Sequence, residues 1–267
     1  MATETGTKNR LIYQVYVGQP SKLYDHCIAS VDKYCIKHKI SHVTQKVPKL
    51  RIKPNPFTTN RSKEAVERLG YLPIYEKENA FEYFDRFDQI AIVDSDIWIR
   101  DNSPNIFDDL DSEYDFGGVV EREMPIGDWY KQKIINYSGM QYDILHKNYG
   151  VDFKPNNLGY EFFNMGLMVM NKSITKYLNG MTPLEFITQS QFSDFVDGKG
   201  AWKWSTDQTL LNYWVKKEKM NVKHMDWKWN GLFTANEKVR DCHFVHFFLK
   251  DKLPNRGENV EELMKHV

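Results

Sequence analysis

Asp94 and Asp96 stand two residues apart around Ser95, inside the otherwise apolar run IAIVDSDIWI (residues 90–99). A run that asks to be buried carries two carboxylates only where the chain leaves the apolar layer or meets a counter-charge, because like charges in a half-buried site repel. The pattern reads as a strand, IAIV, whose carboxyl end opens into DSD, and ligands of open α/β sheets gather at that end. Oxygen ligands alone suit a hard divalent ion, Mg2+ or Mn2+, better than zinc. Asp-x-Asp is by itself equally the mark of a solvated turn. The apolar residues on both sides, through Ile97 to Ile99, favour the metal.

Other elements must hold this pair in place. LIYQVYVG (11–18) is a β-branched and aromatic run ending in glycine, and behind Ser21 as a cap the residues Tyr24, Cys27, Ile28, Val31, Tyr34 and Cys35 recur at helical steps. ISHVTQKV predicts a second strand. From Lys46 to Lys63 there are six basic residues, three prolines and no acid, which predicts a loop, solvated or serving as a basic flap over an anionic substrate. Ser62 to Gly70 predicts a short helix, YEKENAFEYF a longer one, and Ser103-Pro104 a further helix start. Later come the apolar runs EYDFGGVV and FFNMGLMVM, a capping box at Thr182 to Glu185, a helix opening at STDQTLLNYW, a last strand in CHFVHFF and a terminal helix in ENVEELMKHV. Alternating strand and helix signals in the first hundred residues mark an α/β sheet with parallel strands there.

The chain has 267 residues, enough for one sizeable domain, and no linker or repeat divides it. Lys+Arg and Asp+Glu both total 36, so no overall field would hold a nucleic acid. MATETGTKNR lacks a signal-peptide core, and no run approaches the roughly 20 apolar residues of a membrane helix. The expectation is a soluble cytoplasmic protein, at most peripheral to a membrane. Cys27, Cys35 and Cys242 fit neither a disulfide framework nor a zinc spacing, and the first two fall on the apolar stripe of the first helix. The Asn-x-Ser triplets at Asn60, Asn136 and Asn171 then occur by chance.

Two metal-dependent classes end a strand in paired aspartates. Phosphatases of the haloacid dehalogenase type open their first strand with the pair, follow it with threonine or valine where this chain has Ile97, and add a later G-D-x-x-x-D that is missing here. The second class fits further. VDSDI with the preceding FDQIAI resembles the YDKVLYLDSDI signature of retaining GT-A glycosyltransferases, the glycogenin and bacterial galactosyltransferase group. FFNMGLMVMN (162–171) resembles their F-N-A-G-V-M block, STDQTLLNYW their D-Q-x-x-L-N block, WKWNGL the following W-N, and VHFFLKDKLP their closing H-F-x-G-x-x-K-P-W. The five blocks run in order from about residue 77 to 254. Tyr16-Val17-Gly18 sits where the family's first strand meets the base, no block aligns between it and Lys63, and in the last one Leu249 replaces a glycine and Leu253-Pro254 replaces Pro-Trp.

The resemblance implies a GT-A fold, a Rossmann-like α/β domain over residues 1–267 with a mixed central sheet, its nucleotide-binding half at about 10–115 and its acceptor and donor-sugar half at about 116–255. It implies a metal held by Asp94, Asp96 and His246, with Asp94 also reaching the donor ribose. His246 rather than His243 matches, since Lys252 then falls on the family's lysine, which pairs with the diphosphate; Lys250 is the rival. Tyr16 and Val17 would meet the nucleotide base, Lys77 would stand for an arginine touching the donor sugar, and Asn164 and Gly166 would meet the sugar. Asp207 and Gln208 would lie beside the anomeric carbon as catalytic residues, although an acid in a first helical turn is also favoured by the helix dipole alone. Of the tryptophans, Trp202, Trp204, Trp227 and Trp229 offer flat faces to sugars or simply fill the core.

The function implied is transfer of a sugar from a nucleotide-diphosphate sugar, a UDP-sugar first, to a hydroxyl acceptor with Mn2+ or Mg2+ and with retention at the anomeric carbon. The competing expectations are a non-catalytic glycan- or partner-binding protein on the same fold, and the phosphatase.

Overall fold

The computed structural model describes residues 8–61 and 71–267. Its strands are, in chain order, β1 (Arg10–Val15), β2 (Ser41–Gln45), β3 (Gln89–Val93), β4 (Ile97–Ile99), β5 (Phe116–Val120), β6 (Pro155–Asn156), β7 (Gly159–Tyr160), β8 (Phe163–Asn171), β9 (Val222–His224), β10 (Gly231–Leu232) and β11 (Phe244–His246). Six of them form the central sheet in the order β2-β1-β3-β8-β5-β9. β2, β1 and β3 run parallel, as the strand–helix alternation predicts. β8 enters antiparallel to both β3 and β5, and β9 returns parallel to β5. The sheet is therefore mixed. All nine residues of β8 are buried, which is why its sequence is an almost unbroken apolar run rather than an alternating one.

Past the aspartates the chain bends into β4, the edge of a second sheet ordered β10-β11-β4. β11 pairs antiparallel with β4, with His246 opposite Ile97. The helix Lys22–His38 packs on β4, and its capping Ser21 accepts from the Tyr24 amide at 3.4 Å. Cys27 and Cys242 share a small apolar cluster with Leu23 and Val245, while Cys35 joins the main core. All three thiols are free, and burial pushes Cys35 and Cys242 up to about 12.

The YEKENAFEYF pattern forms a run of 3-10 turns, Pro73–Asp85, that carries Lys77. Its Glu76 is fully buried and accepts from three consecutive loop amides, Lys49 at 2.9 Å, Leu50 at 3.2 Å and Arg51 at 3.0 Å, and from the amides of Gln45 and Asn79, each at 2.8 Å. Residues 46–61 form no strand or helix, in keeping with the basic loop. Its charge is partly spent internally, since Arg61 donates to the carbonyls of Phe195 and Ser205 and Lys49 pairs with Glu82 at 3.2 Å. The helix predicted over 62–70 lies outside the described residues.

Ser103-Pro104 does not open a helix: the 3-10 turn Ile106–Asp109 starts later, capped by Asn105, whose side-chain oxygen takes the Phe107 amide at 3.2 Å. The longest helix, Asp128–Tyr149, has no counterpart in the sequence reading. Among the described residues no helix is long and apolar enough to cross a membrane.

Candidate functional site

The turn after β3 is held from three sides. The Asp94 amide donates to the Gly166 carbonyl of β8 at 2.8 Å, the Ser95 hydroxyl donates to the Val15 carbonyl of β1, and the Phe247 amide donates to the Asp96 carbonyl at 2.9 Å. β11 thereby brings His246 to the aspartates: its Nε2 lies 3.3 Å from Asp96 Oδ1 and 3.8 Å from Asp94 Oδ2. One ligating atom from each of the three residues lies within 4.8 Å of the other two. Two carboxylate oxygens and one imidazole nitrogen at this separation fit a divalent ion of the Mn2+ or Mg2+ kind.

Lys77 joins this group to the next. Its ammonium forms ion pairs with Asp94 Oδ1 at 2.6 Å and Asp207 Oδ2 at 2.9 Å and donates to the Met165 carbonyl at 3.1 Å. Asp207 sits in the first turn of the helix Asp207–Lys217, capped by Thr206. The next residue, Gln208, accepts from the Met165 amide at 3.2 Å and faces the Tyr137 hydroxyl at 3.4 Å. Asn164 and Gly166 lie on β8, and a Cβ on Gly166 would fall 2.3 Å from His246 Cε1. The glycine therefore lets the β8 backbone pass the imidazole.

Two cavities meet at Lys77, Asp94 and Asp207. One, about 310 Å3, runs past Gln208, Asn164, Glu121 and Trp204. The other, about 250 Å3, runs past Asp96, Val17, Tyr24 and Ile74. One ammonium is shared by two carboxylates with a third close by, so burial, together with Asp96 and Asp207, pushes Asp94 up to about 6 despite Lys77 and His246. Burial also opposes the charge on Asp96, but His246 and Lys250 outweigh it and hold that carboxyl below its ordinary range. Lys77 is raised, its two carboxylates overcoming its burial.

Not every predicted residue reaches this group. Val17 lines the second cavity, whereas Tyr16 has its hydroxyl on the Ser21 amide at 2.7 Å and its ring edge-on to Tyr24 at 5.5 Å. The Lys252 ammonium rests 4.2 Å from the ring centre of Trp129 and lines neither cavity. Lys250 likewise lines neither cavity, but its ammonium lies 3.5 Å over the ring of Tyr24, which lines the second one, and its charge acts on Asp96. His243 packs on the Trp229 ring at 4.9 Å, away from the aspartates. Trp202 and Trp229 are buried, and Trp204, 62% exposed, stands at the cleft.

Glu121, Asn230 and Tyr24 are absent from the predicted set. Asn230 lies in the WKWNGL block, so the block pointed to it without giving it a role. Glu121, in VVEREMP, reads as an ordinary charged turn; only the fold buries it beside Asn164 and Tyr130, with its carboxyl raised by that burial.

The architecture is the GT-A glycosyltransferase fold. No protein-family model and no curated protein sequence matches the chain. Among solved structures it is similar to the bifunctional glycosyltransferase WbbM at 13% identity and a TM-score of 0.54, over 98% of this chain and 50% of that one, so it spans half the length of that protein. It is similar to a glycosyltransferase involved in glycosylation of the major capsid of PBCV-1 at 13% identity and a TM-score of 0.55, over 96% of this chain and 99% of that one. The galactosyltransferase LgtC, solved with donor and acceptor sugar analogues, gives 13% and 0.55 over 96% and 94% of the two chains.

Proposed function

We propose that the chain is a metal-dependent glycosyltransferase that moves a sugar from a nucleotide-diphosphate sugar, UDP-linked first among candidates, to a hydroxyl acceptor with retention. The observation that carries the reading is the convergence of Asp94, Asp96 and His246 at the junction of two cavities, one for each half of such a donor. Asp94, Asp96 and His246 would hold Mn2+ or Mg2+, which when bound supplies positive charge to a leaving diphosphate.

The residues divide the remaining work. Val17 and Tyr24 wall the nucleotide cavity. Lys250, whose charge already acts on Asp96, is better placed than Lys252 to meet the diphosphate. Lys77 orients Asp94 and Asp207 at the boundary, and Asn164, Asp207 and Gln208 face the sugar. The acceptor enters past Trp204, whose exposed ring can stack on a sugar face. Both Glu121 oxygens accept hydrogen bonds, and Asp207 is bound to Lys77. No residue stands out as a covalent nucleophile, so we take front-face attack by the acceptor within an ion pair as the route to retention; a trapped glycosyl adduct on either carboxylate would overturn that route.

Calorimetric titration with UDP, GDP and CDP, with Mn2+ and then EDTA, tests the proposal. Metal-dependent binding of one nucleotide, lost in Asp96→Ala, supports it. Absence of binding to all three with metal present refutes it.

A further inference from the structure

A line of buried hydrogen bonds leads from the sugar side of the cleft to the far side of the metal-facing histidine. The Gly166 amide donates to Asn164 Oδ1 at 3.0 Å. A backbone N–H can only donate, so that atom of Asn164 is its oxygen and the other terminal atom is the nitrogen, which donates to Glu121 Oε2 at 2.6 Å. Asn164 Oδ1 also receives Asn230 Nδ2 at 2.9 Å. The Asn230 amide is thereby oriented as well, and its Oδ1 faces His246 Nδ1 at 3.1 Å. Tyr130 closes the far end by donating to Glu121 Oε1 at 2.6 Å.

Each link permits one direction of donation. Asn230 offers His246 only an acceptor, so Nδ1 carries a proton; Asp96 and Asp94 offer Nε2 only acceptors as well, so without a metal a second proton is at home there, and a cation between the carboxylates would displace it while Nδ1–H stays on Asn230. Nε2 is the atom turned toward Asp96 and Asp94. Glu121, Asn164, Asn230 and His246 are at most 6% exposed, so solvent has little access to substitute for a reversed bond.

We infer that Asn230, set by the Gly166 amide and Glu121 through Asn164, is a positioning residue that fixes His246 in the Nδ1–H tautomer and so readies Nε2 to ligate a metal. The inference rests on the metal-site reading above and adds a cause for it. Partners of this kind, on the unligated nitrogen of a metal-binding histidine, carry about 10–100-fold in metal affinity.

The test uses the full chain. Long-range proton–nitrogen spectra of histidine-labelled protein in saturating Mg2+, with His246 identified by its loss in His246→Asn, should show a single ring proton, on Nδ1; a lone proton on Nε2 overturns the inference. In Mn2+ titrations followed by electron paramagnetic resonance, folded Asn230→Leu should bind about 10–100-fold more weakly. Asn230→Asp keeps an acceptor for Nδ1–H but loses the donor to Asn164 Oδ1, so its affinity should fall between those of the wild type and Asn230→Leu. Wild-type affinity in folded Asn230→Leu also overturns it. If Asn230→Leu does not fold, the wild-type spectrum and Asn230→Asp decide. Asp96→Ala separates the two levels: if neither the wild type nor this variant binds Mn2+, the metal site itself is refuted, whereas binding lost in Asp96→Ala but untouched in Asn230→Leu refutes the relay alone.

Discussion

Replacing Lys77 with methionine keeps an unbranched side chain one atom shorter and removes its charge. In the folded chain that ammonium has 12% of its side chain exposed and is the shared counter-ion of Asp94 at 2.6 Å and Asp207 at 2.9 Å, with Asp96 in the same cluster. Without it three carboxylates face one imidazole. Removing one member of a buried ion pair costs about 3–5 kcal/mol, chiefly because the partner is left charged in a poor solvent. For a domain of this size that is roughly 6–15 °C in melting temperature. A divalent ion at Asp94 and Asp96 replaces part of the missing charge, so Mn2+ should raise the melting temperature of Lys77→Met by more than it raises that of the wild type. Differential scanning calorimetry of both proteins, in EDTA and in saturating Mn2+, measures all four values. A loss in EDTA below about 1 kcal/mol, the range of a surface pair, or identical metal-induced shifts in the two proteins, would refute the reasoning.

Gly166→Ala should disable the metal group without touching a ligand, since its Cβ would lie 2.3 Å from His246 Cε1 and 2.7 Å from Nδ1. Overpacking of this kind costs about 1–3 kcal/mol; urea unfolding and Mn2+ titration should show both the loss and a weaker site. Asp115 is held down to about 2 by Ser173, Lys176, Tyr177 and the Asn221 amide, which outweigh its burial. A carboxyl with a depressed folded pKa stabilises above its unfolded value near 4 and loses that contribution as pH falls toward about 2. Asp115→Asn should therefore be less stable than the wild type by about 2 kcal/mol at neutral pH, with the gap closing on acidification in urea unfolding. Lys250→Ala should weaken nucleoside-diphosphate binding about tenfold or more, as loss of a charge-assisted contact does, while Lys252→Ala leaves it within about twofold; calorimetry that ranks them the other way restores Lys252 as the phosphate contact.

What was legible followed from burial. FFNMGLMVMN announces a strand because both of its faces are covered, yet nothing in an apolar run encodes direction, so the antiparallel entry of β8 between β3 and β5 could not be read from it alone. The helix Asp128–Tyr149 escaped because its buried face, Tyr130, Ile134, Ser138, Gln141, Tyr142 and Leu145, is interrupted by polar members, and because its cap is Gly127, which contributes no side-chain bond. Asp94, Asp96 and His246 were selected by motif, and the structure places them together; Glu121 and Asn230 join through Asn164, 43 and 66 positions away, separations at which local pattern carries no information. The basic loop looked uniformly free by composition, whereas Arg61 and Lys49 are engaged by groups far along the chain.

The carboxylate of Glu76 divides that loop into two kinetic regimes. Amides in a loop ordinarily exchange their hydrogens with solvent quickly, yet those of Lys49, Leu50 and Arg51 end on a buried anion that also holds Gln45 and Asn79. Releasing them would strand a desolvated charge, so they should exchange as slowly as strand amides, while Lys53, exposed beyond the anchor, exchanges fast. Inserted residues would accordingly be rejected between Lys49 and Arg51, where the chain is fastened to the segment that carries Lys77.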